Sequence, residues 1–148
     1  MIITGQLGDV MKESVQIAVS LVKSMYPQQA KMFAENDLHF HVPAGAVPKD
    51  GPSAGITLTT AISSLVTGRS VDPKVAMTGE VSLQGNVMPI GGLPEKLMAA
   101  VRSGVKRVLI PEENVQDLED VATEVKEKLE IIPVHTCKEV LKELELFS

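Results

Sequence analysis

A serine between two glycines is the feature of this sequence whose residue types most favour chemistry. The stretch Gly51-Pro52-Ser53-Ala54-Gly55 lies where a segment rich in proline and glycine gives way to an apolar helical repeat. Small neighbours would let a substrate backbone approach the Ser53 hydroxyl, and free N–H groups at the start of the helix could bind an oxyanion. Pro52, Ser53 and Ala54 are therefore the predicted oxyanion and substrate-backbone residues. The same pattern also fits a plain helix cap, a common role of serine.

Lys96 is a candidate general base for Ser53 if no histidine serves. It falls in the first turn of a predicted helix over 94–103, where the helix dipole disfavours the protonated ammonium. Leu93 and Leu97 beside it can exclude water, and a lysine amine accepts a proton only when it is neutral. Most lysines at such positions are solvated surface groups, so Lys96 taken alone indicates no function.

A Ser-His-Asp hydrolase is an alternative that the residues leave open. Ser53 stands in a G-x-S-x-G pattern, His135 lies downstream, and Asp117 or Asp120 lies between them, as the order in α/β-hydrolases requires. That pattern needs a strand running directly into the serine. Residues 43–52 instead hold five prolines and glycines, which predicts a loop, and 148 residues are few for that fold.

The elements that must position these side chains follow from periodicity and from breakers of regular structure. Thr136, with Glu139 three residues later, forms a capping-box pattern at the start of the last helix. Near the C-terminus the order strand, helix, strand, helix favours a crossover connection. The pattern predicts helices over 9–26, 54–68, 94–103, 113–129 and 136–144, and strands over 37–42, 75–77, 81–83, 87–90, 107–110 and 131–134.

Composition narrows the class of protein. The chain has 148 residues, of which 44% are hydrophobic and 22% charged, which is typical of one globular domain. The formal net charge of −5 is the wrong sign for binding nucleic acid through phosphates. No apolar run reaches the roughly 20 residues of a membrane span. Cys137 is the only cysteine, so we expect an inert thiol and a reducing, cytoplasmic location. From the net charge and the lack of a long apolar run we expect no nucleic-acid partner and no membrane partner.

Several stretches in order resemble the proteolytic domain of the Lon family of ATP-dependent proteases. The resemblance runs nearly end to end and includes a segment over 4–14 near the start. It implies that Ser53 is the nucleophile and Lys96 the general base of a Ser–Lys dyad, and their separation of 43 residues fits the family's spacing. The stretches that carry it most clearly are PKDGPSAG over 48–55, MTGEV over 77–81 and GGLPEK over 91–96.

The resemblance also implies supporting residues around the dyad. Thr78 would orient the lysine amine, and Asp50 would lie in a loop that opens or blocks the site. Glu80 maps near the site, and His39 and His41 fall where the family has a His-x-His strand. Two histidines on one strand face could hold a metal, but no third ligand is near in sequence, so no metal site is predicted.

The expected fold class is α+β: a single compact mixed α/β domain with short strands and about four to five helices, covering 1–148. No phosphate-binding Walker motif occurs in the sequence, so we expect a fragment without the family's ATPase and N-terminal regions. It would have no cofactor of its own, since ATP and Mg²⁺ would belong to the missing ATPase.

The expected activity is cleavage of unfolded polypeptides by a serine endopeptidase that forms a hexameric ring in the full-length protein. A non-catalytic Lon-like assembly domain is the alternative from another class.

Overall fold

Three small β-sheets and a set of helices make up the described part of the chain, which is residues 2–5, 8–35, 39–42 and 55–147 of a computed structural model. The strands are β1 (Ile2–Gly5), β2 (His39–Val42), β3 (Val75–Met77), β4 (Glu80–Val81), β5 (Val87–Met88), β6 (Arg107–Pro111) and β7 (Glu130–Val134). The α-helices are α1 (Asp9–Met25), α2 (Ala30–Glu35), α3 (Gly55–Thr67), α4 (Leu93–Arg102), α5 (Thr123–Lys128) and α6 (Cys137–Glu143). Two 3-10 helices span Pro27–Gln29 and Glu112–Asp120.

The largest of these sheets has three strands in the order β3-β6-β7, and both of its pairs are parallel. β1 and β2 form a separate parallel pair, whereas β4 and β5 form an antiparallel hairpin. The chain from β6 to β7 passes through α5, so the predicted crossover is present. The mixed α/β class expected from the sequence is confirmed.

Two clusters of buried side chains hold the helices in place. The first lies where α3 packs against α1 and α6, and it includes Val22, Ile56 and Leu141, each at most 1% exposed. The second lies under α4, where Leu93 and Leu97 pack with Ile110 of β6. The helix that follows Ser53 and the helix that carries Lys96 are therefore anchored in different parts of the core.

The prediction of one helix over 113–129 is wrong. The segment forms the 3-10 helix Glu112–Asp120 and then the short helix α5. Between them Val121 has an extended backbone and is only 5% exposed, because its side chain is buried in the second cluster. Burial of this one apolar side chain interrupts a segment whose charged composition gave no sign of a break.

The remaining differences between the predicted and observed elements involve shorter segments. β1, the 3-10 helix Pro27–Gln29 and α2 were not predicted from the sequence. The predicted strand over 81–83 is instead Glu80–Val81, and the one over 87–90 ends at Met88. α1 ends at Met25, one residue before the predicted end at Tyr26 and shortly before Pro27. The tight turn between β4 and β5 has Gly85 at φ +86°, a conformation that favours glycine.

Cys137 is expected to resist thiol reagents in the folded protein. Its side chain is 1% exposed, and burial raises the pKa of its thiol from 9.0 to about 12. The thiolate is the reactive form, so even at pH 9 little of it is present in the native state. Labelling with a chromogenic disulfide reagent should be slow in buffer and rapid in denaturant; rapid labelling of native protein would contradict this environment.

Candidate active site

Lys96 lies in the first turn of α4, which begins after Gly92. Gly92 adopts φ +71°, and its carbonyl accepts the first helical hydrogen bond from the Lys96 N–H at 3.2 Å. Pro94 suits the start of the helix because its missing N–H has no partner there in any case. Leu93 and Leu97 are 1% and 0% exposed, and they fix this turn to the core while Lys96 stays partly exposed.

Thr78 and Lys96 line one cleft. Thr78 follows β3 directly, is 9% exposed, and donates its backbone N–H to the carbonyl of Leu109 in β6 at 3.1 Å. The cleft has a volume of about 290 Å³. Apart from Thr78 and Lys96 its lining is apolar and consists of Ala76, Met77, Leu97, Ala99, Ala100 and Val108. Thr78 and Lys96, which belong to separate parts of the chain, thus border the same largely apolar cleft.

The start of α3 packs against the chain just after Thr78. The Ile56 N–H donates to the carbonyl of Gly79 at 3.1 Å. A Cβ atom on Gly55 would lie 2.9 Å from the backbone nitrogen of Val81, too close without a shift of backbone. Gly55 therefore lets α3 begin in contact with β4. In the sequence Gly55 is a small neighbour of Ser53, and in the structure it also permits this close approach.

The remaining predicted supporting residues fall into two groups. Glu80 opens β4, where it pairs with Met88 of β5, and it is partly exposed. His39 and His41 are alternate residues of β2, opposite Ile2 and Thr4 in the parallel register, and their side chains lie outside the described part.

Four predicted site residues lie outside the described residues: Asp50, Pro52, Ser53 and Ala54. Their roles stay predictions.

His135 is the histidine that the alternative Ser-His-Asp hydrolase would use. His135 pairs through Nε2 with the carboxylate of Glu112, and its side chain is 64% exposed. Asp117 accepts a hydrogen bond from the Asn114 amide at 2.7 Å. Neither contact joins His135 to Asp117, one of the two acids that a Ser-His-Asp arrangement would use.

Asn114 is a buried polar residue that the sequence analysis did not single out. It is 3% exposed and binds the backbone of Ile90, ahead of α4. In sequence it stands in a charged run, Glu112-Glu113-Asn114, and nothing in that run marks it as buried.

Among the described residues, no three His, Cys, Asp or Glu side chains are grouped so as to hold a metal ion. In the same part of the chain, none of the helices combines the length and the apolar character needed to cross a membrane.

The family model of the Lon protease (S16) C-terminal proteolytic domain matches residues 1–146. This chain is therefore a proteolytic domain of the Lon type, and it belongs to the Lon protease family.

Three relatives show how similar the chain is to individual members. The Lon protease of Clostridium beijerinckii is 62% identical over 142 residues, which are 96% of this chain and 18% of that protein. The Lon protease of Methanosphaera stadtmanae is 58% identical over 143 residues, covering 95% of this chain and 17% of that protein. The Lon protease of Methanosarcina barkeri is 54% identical over 143 residues, covering 95% of this chain and 18% of that protein. The chain thus spans less than a fifth of the length of these curated relatives.

Proposed function

We propose that this domain is a serine peptidase in which Ser53 is the nucleophile and Lys96 the general base. The observation that carries the proposal is the shared cleft of Thr78 and Lys96, together with the start of α3 on the segment that follows Thr78. In the sequence, Ser53 precedes Gly55, the first residue of α3, by two positions.

The reaction follows from these groups. The neutral amine of Lys96 takes the proton of the Ser53 hydroxyl as its oxygen attacks the peptide carbonyl carbon. Backbone N–H groups of Ser53 and Ala54 are the proposed donors to the oxyanion; Pro52 has no N–H and offers only its carbonyl to a substrate backbone. The intermediate then collapses, the C–N bond breaks, and the lysine ammonium gives its proton to the leaving amine.

The second half of the reaction repeats the first with water. Lys96, neutral again, removes a proton from a water molecule whose oxygen attacks the ester carbon on Ser53. The ester C–O bond then breaks, the lysine ammonium returns the proton to the Ser53 oxygen, and the acid product leaves. Thr78 is the proposed hydrogen-bond partner that orients the lysine amine. Proton transfer and acyl transfer supply the whole cycle, so the dyad uses no metal or organic cofactor. Asp50, Glu80, His39 and His41 are proposed as supporting residues only.

The substrates and partners are also proposals. Unfolded polypeptides are the proposed substrates, delivered by an ATPase region of a longer protein that assembles as a hexameric ring, and the proposed location is the cytoplasm. ATP and Mg²⁺ would act in that region, since the 148 residues hold no Walker motif.

A fluorophosphonate probe tests the dyad directly, because it reacts with an activated serine hydroxyl and loses fluoride. Peptide mapping should find the adduct on Ser53 in the wild type and in His135→Ala, and almost none in Lys96→Met. A non-catalytic assembly domain would give no adduct at Ser53. Loss of labelling in His135→Ala with retention in Lys96→Met would replace the dyad by the histidine-dependent hydrolase.

A further inference from the structure

The first turn of α4 has no side-chain cap. Its N-cap residue is Gly92, which lacks a side chain to bind the free N–H groups that a serine or an aspartate would bind. Gly91 before it is exposed, and a Cβ atom at that position would meet nothing within 4 Å. Besides the burial of Leu93 and Leu97, the position of this turn therefore depends on what holds the residues that precede it.

Asn114 supplies such a contact by holding both backbone groups of Ile90. Its Oδ1 accepts the Ile90 N–H at 2.9 Å, and its Nδ2 donates to the Ile90 carbonyl at 2.8 Å. The same Nδ2 donates to a carboxylate oxygen of Asp117 at 2.7 Å, which orients the amide. Two hydrogen bonds from one planar group to one residue fix that residue in position and direction.

The 3-10 helix that carries Asn114 packs against the same part of the core as α4. Asn114 belongs to the 3-10 helix Glu112–Asp120, which follows β6 directly and packs against α4. Ile110 of β6 is fully buried beneath Leu97 of α4. Asn114 binds Ile90, and the Gly92 carbonyl accepts the first helical hydrogen bond, so a single residue, Gly91, separates these two anchored residues.

We propose that Asn114 is a positioning residue for Lys96: by clasping Ile90 to the 3-10 helix, it sets where α4 begins and so where the amine lies relative to Thr78. The inference rests on the proposed function, since it has Asn114 act through the proposed base Lys96 and not by binding the substrate. Loss of the clasp leaves the Ile90-Gly91-Gly92 segment free to shift. A displacement of about 1 Å at a reacting group can cost about 100-fold in rate.

Asn114→Ala tests this role. Its kcat for a fluorogenic peptide should fall 10- to 100-fold while KM stays within about two-fold, because the substitution displaces the proposed base and removes no group that is proposed to bind the substrate. Amide hydrogen exchange should become faster in a peptide spanning 90–97, and unchanged in a peptide spanning α6. The exchange measurement does not depend on activity.

A matched control separates positioning from general destabilisation. Val140→Ala removes two methyl groups from a fully buried side chain of α6, in the core cluster that does not include α4. It should lower the melting temperature without changing kcat at a temperature where both variants are folded. An equal loss of kcat in Val140→Ala and Asn114→Ala would overturn the positioning role.

Asn114→Asp keeps the size of the side chain and an acceptor for the Ile90 N–H, but it loses both donor hydrogens and places a carboxylate beside Asp117. It serves if the alanine variant does not fold, and the same loss of kcat and faster exchange over 90–97 are expected. Wild-type kcat in a folded Asn114 variant refutes the inference alone. Wild-type labelling of Ser53 in Lys96→Met refutes the proposed function itself, so the two failures are distinguishable.

Discussion

Ser53→Ala should reduce peptide hydrolysis to background, a loss of about 10⁴-fold or more in kcat, because it removes the hydroxyl that is proposed to form the acyl-enzyme. The fold should survive, since the change removes one hydroxyl next to a helix start and costs at most about 1–2 kcal/mol as a lost cap. Steady-state kinetics with a fluorogenic peptide and circular dichroism would measure the two effects separately.

Two control variants define what the Ser53 result means. Ser103→Ala removes an exposed hydroxyl at the other end of α4, where it donates to the Ala99 carbonyl at 3.0 Å, and should keep wild-type activity. His135→Ala breaks an exposed pair with Glu112 and should be nearly silent. Hydrolysis that persists in Ser53→Ala, or disappears in His135→Ala, would contradict the assignment of the nucleophile and the base.

The parts of the fold that sequence periodicity predicted well are those whose own side chains enter the core. α1 presents Val15, Ala18 and Val22 at helical spacing, and all three are buried. The C-terminal capping pattern is also present, since Thr136 accepts the Glu139 N–H at 3.2 Å. The return bond of Glu139 goes to the N–H of His135 and not of Thr136, a one-residue difference in the capping box.

The parts that sequence could not predict depend on distant partners. β1 has four residues and gains its ladder from β2, 34 residues or more along the chain. Asn114 bonds to Ile90 at a separation of 24 residues, and an asparagine among glutamates is ordinarily an exposed residue. The charged run over 112–128 breaks because Val121 packs into the second core cluster, a contact that local propensity does not contain.

The candidate site also combines features that could be expected from the sequence with features that depend on distant partners. The chemistry of Lys96 and Thr78 was expected from the resemblance to a family, because a lysine at a helix start and a strand threonine are common residues without function. Their meeting in one cleft depends on β3 lying beside β6 while α4 packs over β6. That arrangement is long-range packing, and no pattern within either segment contains it.

Lys96→Arg should be as inactive as Lys96→Met, and this pair separates a base from a mere positive charge. Guanidinium stays protonated at every pH at which a protein is folded, so arginine can place a charge in the cleft but cannot accept the Ser53 proton. Methionine keeps a long flexible chain without a charge, and either side chain can occupy this partly exposed position beside Leu97. Both variants should therefore fold and lose about 10³-fold or more in kcat.

Lys142→Met is the matched control, because it removes an exposed lysine from the last turn of α6 and should leave hydrolysis unchanged. Kinetics of all three variants with one peptide, together with their melting temperatures, would complete the comparison. If Lys96→Arg kept more than about a tenth of the wild-type rate, positive charge and not proton transfer would be the contribution of this position, and the neutral-lysine base would have to be abandoned. Equal loss in both Lys96 variants, with an unaffected Lys142→Met, leaves proton acceptance as the property that only lysine supplies here.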